Sequence, residues 1–168
     1  MNLKIRIATK RDIESIAKVA RECFPLDYVS SNKKMKEDEI AKSWIEKHML
    51  LDPFGLVTVA ELENEIVGFV LYFMIGGLSG VVHIEQVAVS PSFQKKGIGT
   101  TMMSKSEDIL RNLLSEKLDT NLKKLVLTTS SENPGSHKLY KNQGYKMVVN
   151  LGEMFFSGDE IMYEKDLR

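Results

Sequence analysis

A segment in the middle of the chain places two glycines between an apolar run and a long amphipathic run. Val81–Val89 is rich in β-branched residues and ends at Ser90-Pro91, a pattern typical of a strand followed by a turn. Apolar residues recur with helical spacing from Ile98 to Leu114. A glycine loop between a strand and a helix lets several N–H groups face one anion, and the helix N-terminus adds positive potential. We therefore predict an α/β fold with a phosphate-binding turn formed by Gln94, Lys95, Lys96, Gly97, Ile98, Gly99 and Thr100.

Two common phosphate loops do not fit this segment. A P-loop requires a lysine directly after its second glycine, and here Thr100 follows Gly99. A dinucleotide fingerprint requires a third glycine at position 102, which is Met102. From these residues alone, a plain glycine turn without a ligand remains the alternative.

The rest of the chain predicts one domain, 1–168, on a mixed sheet of about six to seven strands flanked by about four helices. Short turns after the second and third strands favour an antiparallel meander, and the later strand–helix–strand order favours a parallel crossover. The predicted helices cover about 10–24 and 36–49, a long stretch after Gly97, and 133–144. Thr9 is the predicted N-cap of the first helix, with Asp12 as a weak capping box, and Asn133 is the predicted N-cap of the last. The predicted strands are Leu3–Ile7, Leu56–Leu62, Ile66–Ile75, Val81–Val89, Leu122–Thr128, Tyr145–Val149 and Glu160–Glu164.

Composition excludes some classes of partner. The 23 basic and 23 acidic residues balance, whereas non-specific nucleic-acid binding normally needs a basic excess. The longest apolar run, Ile66–Ile75, is too short to cross a bilayer, and no signal peptide is expected at Met1. The single cysteine, Cys23, suits a reducing compartment, so we expect a cytoplasmic protein without nucleic-acid or membrane partners. The three histidines show no metal-ligand spacing, and homodimer formation is left open by the sequence.

Two motifs together resemble the GNAT superfamily of N-acetyltransferases. Val87–Thr100 resembles its acetyl-CoA motif, a strand followed by [RQ]-x-x-G-x-[GA] at the start of a helix. Asn133–Tyr145 resembles its second motif, N-x-x-[AS]-x-x-L-Y-x-x-x-G-[FY]. The resemblance implies a GNAT fold with a splayed pair of parallel strands, and acetyl-CoA or coenzyme A as cofactor. It also implies that the 94–100 loop binds the pyrophosphate and that the cofactor arm meets Val87, Ala88, Val89, Asn133 and Ser136.

The same resemblance assigns Tyr140 as the acid that protonates the departing thiolate, with simple packing of its ring as the alternative. The amine must lose a proton before it attacks the thioester, and two residues could accept it. His83 and Glu85 stand two apart on one predicted strand, so their side chains share a face. Either could act directly or through a water, and the residues do not decide between them. Cys23 lies in a helical core stripe, so we expect direct attack without an acyl-enzyme.

The acceptor is predicted from three further segments that resemble protein N-terminal acetyltransferases of the ribosomal-protein alanine type. These are the segment after Phe24, the strand that contains His83, and the closing segment 151–167. The resemblance implies that the N-terminus of a peptide or protein is held by Phe24, Asp27, Tyr28, Phe155 and Phe156. Leu26 replaces a family glutamate, Thr128 stands where relatives carry an acid or histidine, and both phenylalanines lack tyrosine hydroxyls. A small amine such as a polyamine therefore stays open as acceptor, as does a non-catalytic acyl-CoA-binding regulator.

Overall fold

The computed structural model describes residues 2–24, 37–50, 54–154 and 158–168. Four α-helices and seven strands alternate along these ranges, with short 3-10 helices at Lys10–Asp12 and Pro91–Phe93. The helices are α1 (Ile13–Cys23), α2 (Glu37–Met49), α3 (Ile98–Leu118) and α4 (Pro134–Asn142). The strands are β1 (Leu3–Ile7), β2 (Gly55–Leu62), β3 (Glu65–Ile75), β4 (Val81–Val89), β5 (Lys124–Ser130), β6 (Lys146–Glu153) and β7 (Asp159–Asp166).

One mixed sheet contains all seven strands, in the order β1-β2-β3-β4-β5-β7-β6. β1 runs antiparallel to β2, and β7 runs antiparallel to both β5 and β6. β4 and β5 form the predicted parallel pair, with a register that extends from Val81↔Lys124 to Ile84↔Leu127. Both strands continue past the last of these pairs. The mixed sheet, the parallel crossover and the number of helices confirm the predicted fold class.

By contacts, the chain forms two compact units, of which the first contains 1–71 and 86–109. Its core joins α1 and α2 to β2 and the first part of β3. Ile16, Ile45 and Phe69 are fully buried there, and Phe24 is half-buried against them. The predicted capping of the first helix is present in part, because the Thr9 backbone N–H donates to the Asp12 carboxylate at 2.7 Å.

The second unit contains 72–85 and 110–168. Leu125, Leu127 and Tyr163 are its most buried apolar and aromatic side chains on β5 and β7. Asn133 caps α4 as the sequence predicts, with its Oδ1 accepting from the Ser136 backbone N–H at 3.1 Å. The single domain that the sequence predicts remains a prediction.

β1 and β4 have the predicted bounds, whereas the other five strands differ from the predicted ones at one end or both. β5 begins at Lys124, two residues later than predicted. The Lys123 and Lys124 N–H groups donate instead to the Gly80 carbonyl, in the turn between β3 and β4. β6 extends to Glu153 and β7 to Asp166. The ladder between them carries two register shifts, and β6 is exposed along nearly its whole length. A strand with no buried face lacks the alternating pattern from which length is predicted.

Candidate active site

The predicted phosphate loop has the backbone conformation that such a loop needs. Lys95 (φ +60°) and Gly97 (φ +78°) lie in the left-handed region, on either side of Lys96. α3 then begins at Ile98, which is 1% exposed and fixes the start of the helix in the core. N–H groups in a first helical turn have no intrahelical acceptor, and the first turn of α3 carries no acidic residue. The loop therefore offers N–H groups and positive potential to an anion.

Two side chains of the loop are used to hold its shape. Gln94 Nε2 donates to the Val89 carbonyl at 2.8 Å, which ties the loop to the end of β4. Lys96 Nζ donates to the Ser92 carbonyl at 3.0 Å and lies 5.1 Å from the centre of the Phe93 ring. Gln94 stands where the family motif more often has an arginine. Its neutral amide holds the loop against β4 and adds no positive charge.

The last residues of β4 are packed closely against β3. A Cβ placed on Gly68 would lie 2.7 Å from the Ala88 carbonyl and 3.2 Å from Met102 Sδ. Only glycine at position 68 allows this approach, and sequence reasoning did not single it out. Ala88 is buried, whereas Val87 and Val89 are half-buried. These three residues are predicted to contact the cofactor arm. They lie at the end of a strand that packs closely against Gly68 of β3.

Cys23 also touches this strand. Its thiol donates to the Val89 carbonyl at 3.4 Å. Burial raises the pKa of Cys23 to about 11, and the nearby Glu22 carboxylate raises it further. The protonated thiol is a poor nucleophile, because the thiolate is the reactive form.

In the second unit, Tyr140 is buried between two other tyrosines. Its ring centre lies 5.9 Å from that of Tyr145 and 6.0 Å from that of Tyr163. Burial raises the pKa of Tyr140 to about 12, and a hydrogen bond from Ser136 opposes part of this rise. The phenol therefore stays protonated at neutral pH, as an acid or hydrogen-bond donor must. Ser136 contacts this phenol, and Asn133 caps the same helix.

A concavity of about 510 Å³ lies beside this cluster, but Tyr140 does not line it. Its walls include one stripe of α4 together with Met147, Ile161 and Tyr163. His137 Nδ1 lies 2.8 Å from the Tyr163 hydroxyl at this wall. Tyr140 is 6% exposed, and its role as the acid stays a prediction.

His83 and Glu85 share a face of the sheet, as predicted, but their surroundings differ. His83 is half-buried, and burial lowers its pKa, while the Glu85 carboxylate opposes part of that shift. The neutral imidazole can accept a proton at neutral pH. Glu85 is exposed. His83 pairs in register with Val126, and Glu85 follows Ile84, the last residue of the paired register.

The predicted acceptor-binding residues are described only in part. Phe24 ends α1, with its N–H bonded to the Ala20 carbonyl at 2.9 Å, and its ring is half-buried against the core. Asp27, Tyr28, Phe155 and Phe156 lie outside the described residues, so their roles stay predictions. Within the described ranges, no group of His, Cys, Asp and Glu side chains could hold a metal ion. No described helix is long and apolar enough to cross a membrane.

Comparison with known proteins identifies the family. The sequence profile of the acetyltransferase (GNAT) family matches residues 13–145, which includes both predicted motifs. The chain belongs to the GNAT acetyltransferase family. This GNAT enzyme is an acetyl-CoA-dependent acyltransferase.

The relatives of this GNAT enzyme act on different amines. It is 28% identical to an N-alpha-acetyltransferase of Sulfolobus acidocaldarius, over 95% of this chain and 89% of the relative. Its fold is similar to that of a spermidine N-acetyltransferase of Vibrio cholerae in complex with CoA and spermine. The TM-score is 0.74, with 20% identity over 98% of this chain and 95% of the other. It is also similar to the PaiA N-acetyltransferase of Thermoplasma acidophilum bound to coenzyme A, with TM-score 0.71, 20% identity and coverage of 99% and 100%.

Proposed function

We propose that this GNAT enzyme acetylates the α-amine of a protein or peptide N-terminus by direct attack on acetyl-CoA. The similarity to an N-alpha-acetyltransferase over nearly the whole chain supports this acceptor. Two groups of the same unit support the mechanism. Burial lowers the pKa of His83 and raises the pKa of Tyr140 to about 12, so both are neutral near pH 7. Acetyl transfer from a thioester to an ammonium needs one group to take a proton and another to neutralise the sulfur.

The two groups are associated with opposite faces of the sheet. His83 shares a face with Val126, its register partner on β5. Tyr140 contacts Tyr163, whose register partner is Leu127, the next residue of β5. Successive residues of a strand point to opposite faces. A base on one face and an acid on the other suit a transfer in which the amine approaches from one side and the thiol leaves on the other.

The residues of the site have separate tasks. Bound acetyl-CoA would supply the acetyl group: the bond from the amine nitrogen to the carbonyl carbon forms, the carbon–sulfur bond breaks, and coenzyme A departs as a thiolate. The 94–100 loop and Val87–Val89 hold the cofactor, and His83 takes the amine proton, directly or through a water. Tyr140 donates its hydrogen bond to the developing thiolate. Because a free thiol titrates near about 8.5 and Tyr140 near about 12, the hydrogen-bonded thiolate is favoured over complete loss of the phenol proton.

The first test measures acetyl-CoA consumption against peptides that vary at their first residues, with spermidine in parallel. We expect peptide turnover, and we expect Tyr140→Phe to lower kcat by about 100-fold, the usual scale for loss of a general acid. Tyr145→Phe is the matched control, since it removes a buried hydroxyl from the same aromatic cluster. It should leave kcat within about twofold of the wild type.

Other outcomes would redirect the assignment. Turnover of spermidine alone would move the acceptor to small amines. Binding of acetyl-CoA without turnover of any amine would favour a non-catalytic acyl-CoA-binding regulator. Equal losses in Tyr140→Phe and Tyr145→Phe would assign Tyr140 a packing role.

A further inference from the structure

The concavity of about 510 Å³ that α4, β6 and β7 line has an apolar floor. Ile161 and Tyr163 of β7 are 7% and 2% exposed, and they stand two apart on one face of the sheet. Met147, the register partner of Tyr163 on β6, is 57% exposed at the rim. Sites for small molecules commonly have volumes of about 300–1,000 Å³ and mostly apolar walls with a few polar groups. The concavity therefore has the size and the floor of such a site.

The charge around this concavity has one sign. α4 contributes the exposed Lys138 and Lys141 and the half-buried His137. Segment 134–142 contains no acidic residue, and none of the described residues that line the concavity is acidic. Lys138 and Lys141 are three apart on the helix surface, where two like charges repel each other. An anion bound beside them would offset this repulsion.

The concavity and the predicted cofactor contacts lie on different sides of α4. Ser136 and Tyr140 are four apart and share one side of the helix, and neither lines the concavity. Lys138 is two residues from each of them, which turns it about 160° away around the helix axis. Tyr163 lines the concavity, and its ring centre lies 6.0 Å from that of Tyr140. An occupant would thus be separated from Tyr140 by one aromatic ring.

We propose that this concavity binds a small organic anion, a carboxylate or phosphate monoester joined to an apolar body. The anionic group lies at Lys138 and Lys141. The apolar body covers Ile161, Tyr163 and Met147. This site is separate from the cofactor site, and it does not depend on which amine the enzyme acetylates.

Calorimetric titration of the protein saturated with coenzyme A tests this site with ligands of one chain length. The probes are octanoate and octyl phosphate, with octylamine and octan-1-ol as the cationic and neutral controls. Two exposed ion pairs together should make octanoate bind about tenfold more tightly than octan-1-ol, and octylamine should bind more weakly still. Binding of either anion supports the site, and the tighter of the two identifies its anionic group.

The apolar floor is tested by chain length. A fully buried CH₂ group strengthens binding by about fourfold. Because the concavity is open to solvent and buries only part of a chain, we expect octanoate to bind about tenfold more tightly than butyrate. Met147→Ser should reduce this preference, and the exposure of Met147 makes loss of the fold an unlikely cause.

The charged rim is tested by a double variant that combines Lys138→Gln with Lys141→Gln. It should weaken octanoate binding by about tenfold and leave the Kd of coenzyme A within about twofold. Lys146→Gln is the matched control, because Lys146 is exposed but does not line the concavity. Its register partner is Glu164, so it lies on the opposite face of the sheet from Met147. Circular dichroism checks that each variant is folded.

Three outcomes would overturn the inference. Equal affinity for octanoate and octylamine would show that the site does not select an anion. Unchanged octanoate binding in the double lysine variant would place the anion elsewhere on the protein. Octanoate binding that occurs only without coenzyme A would assign the lysines to the cofactor. Acetylation of peptides is measured separately, so the proposed function stands or falls independently of these titrations.

Discussion

At the scale of single residues, burial determines which groups can exchange protons near neutral pH. His83 and Tyr140 have pKa values moved in opposite directions, and both shifts favour the neutral form. The same effect disables Cys23, whose thiol stays protonated. The sequence proposed His83 and Glu85 equally as the base, because the number of residues between them gives no information on burial. In the structure His83 is half-buried and Glu85 is exposed, so variants of the two residues can show which one is the base.

We expect His83→Gln to lower kcat at saturating amine by about 100-fold, and Glu85→Gln to keep most of it. Since the Glu85 charge raises the pKa of His83, its removal should lower that pKa further. The acid limb of the kcat profile should therefore move to lower pH in Glu85→Gln. Profiles from pH 5 to 9 on both variants test this. A large loss in Glu85→Gln with little change in His83→Gln would make Glu85 the base.

At the scale of elements, the 94–100 loop depends on one glycine conformation. Gly97 has φ +78°, and a Cβ added there would meet nothing within 4 Å. Replacement by alanine therefore adds backbone strain without a steric clash, at a cost of about 1 kcal/mol. The strain falls where backbone N–H groups are proposed to bind the cofactor pyrophosphate.

Gly97→Ala should weaken acetyl-CoA binding by about tenfold, which calorimetric titration would measure, because a shifted loop misdirects its N–H groups. Gly77→Ala is the matched control. Gly77 has φ +62° and equal space for a Cβ, but it lies in the turn between β3 and β4. Both variants should lose similar free energy of unfolding in urea, and only Gly97→Ala should change the Kd. An unchanged Kd in Gly97→Ala would argue against this loop as the pyrophosphate site.

The elements also show where sequence reasoning succeeds and where it stops. The glycine loop, the Asn133 cap and the Val81–Val89 strand were predicted because each depends on local residues. Gly68 was missed because its importance arises from strand pairing. Gly68 matters only because the Ala88 carbonyl lies beside it. Contacts between distant segments leave no periodic signal in the sequence.

At the scale of the whole molecule, stability should fall in two steps as the pH is lowered. The folded pKa of His83 lies below its ordinary value of 6.5, so stability decreases as pH falls below about 6.5. Asp12 accepts two hydrogen bonds of 2.8 Å from the Arg6 guanidinium, which hold the pKa of that carboxyl well below its usual 3.8. Its contribution is complete at neutral pH and is lost as pH falls below about 3.8.

Asp12→Asn should therefore lower the free energy of unfolding at pH 7 by about 1–3 kcal/mol, since Arg6 loses its charged partner. The difference from the wild type should shrink below about pH 3.8, where the Asp12 carboxyl of the unfolded wild-type chain begins to take up its proton. Urea midpoints at several pH values measure both effects. A difference that stays constant down to pH 2 would show that the Arg6–Asp12 pair contributes through packing alone.

The strand order has a consequence for how the chain assembles. β7 follows β6 along the chain but lies between β5 and β6 in the sheet. During synthesis, β6 therefore emerges before the strand that joins it to the sheet, and the edge of β5 stays open for the same interval. β6 and β7 pair antiparallel with each other, so a hairpin of the two can close locally and then dock onto β5 through β7. Until β7 has docked, the tyrosine cluster that joins Tyr140 to Tyr163 is incomplete.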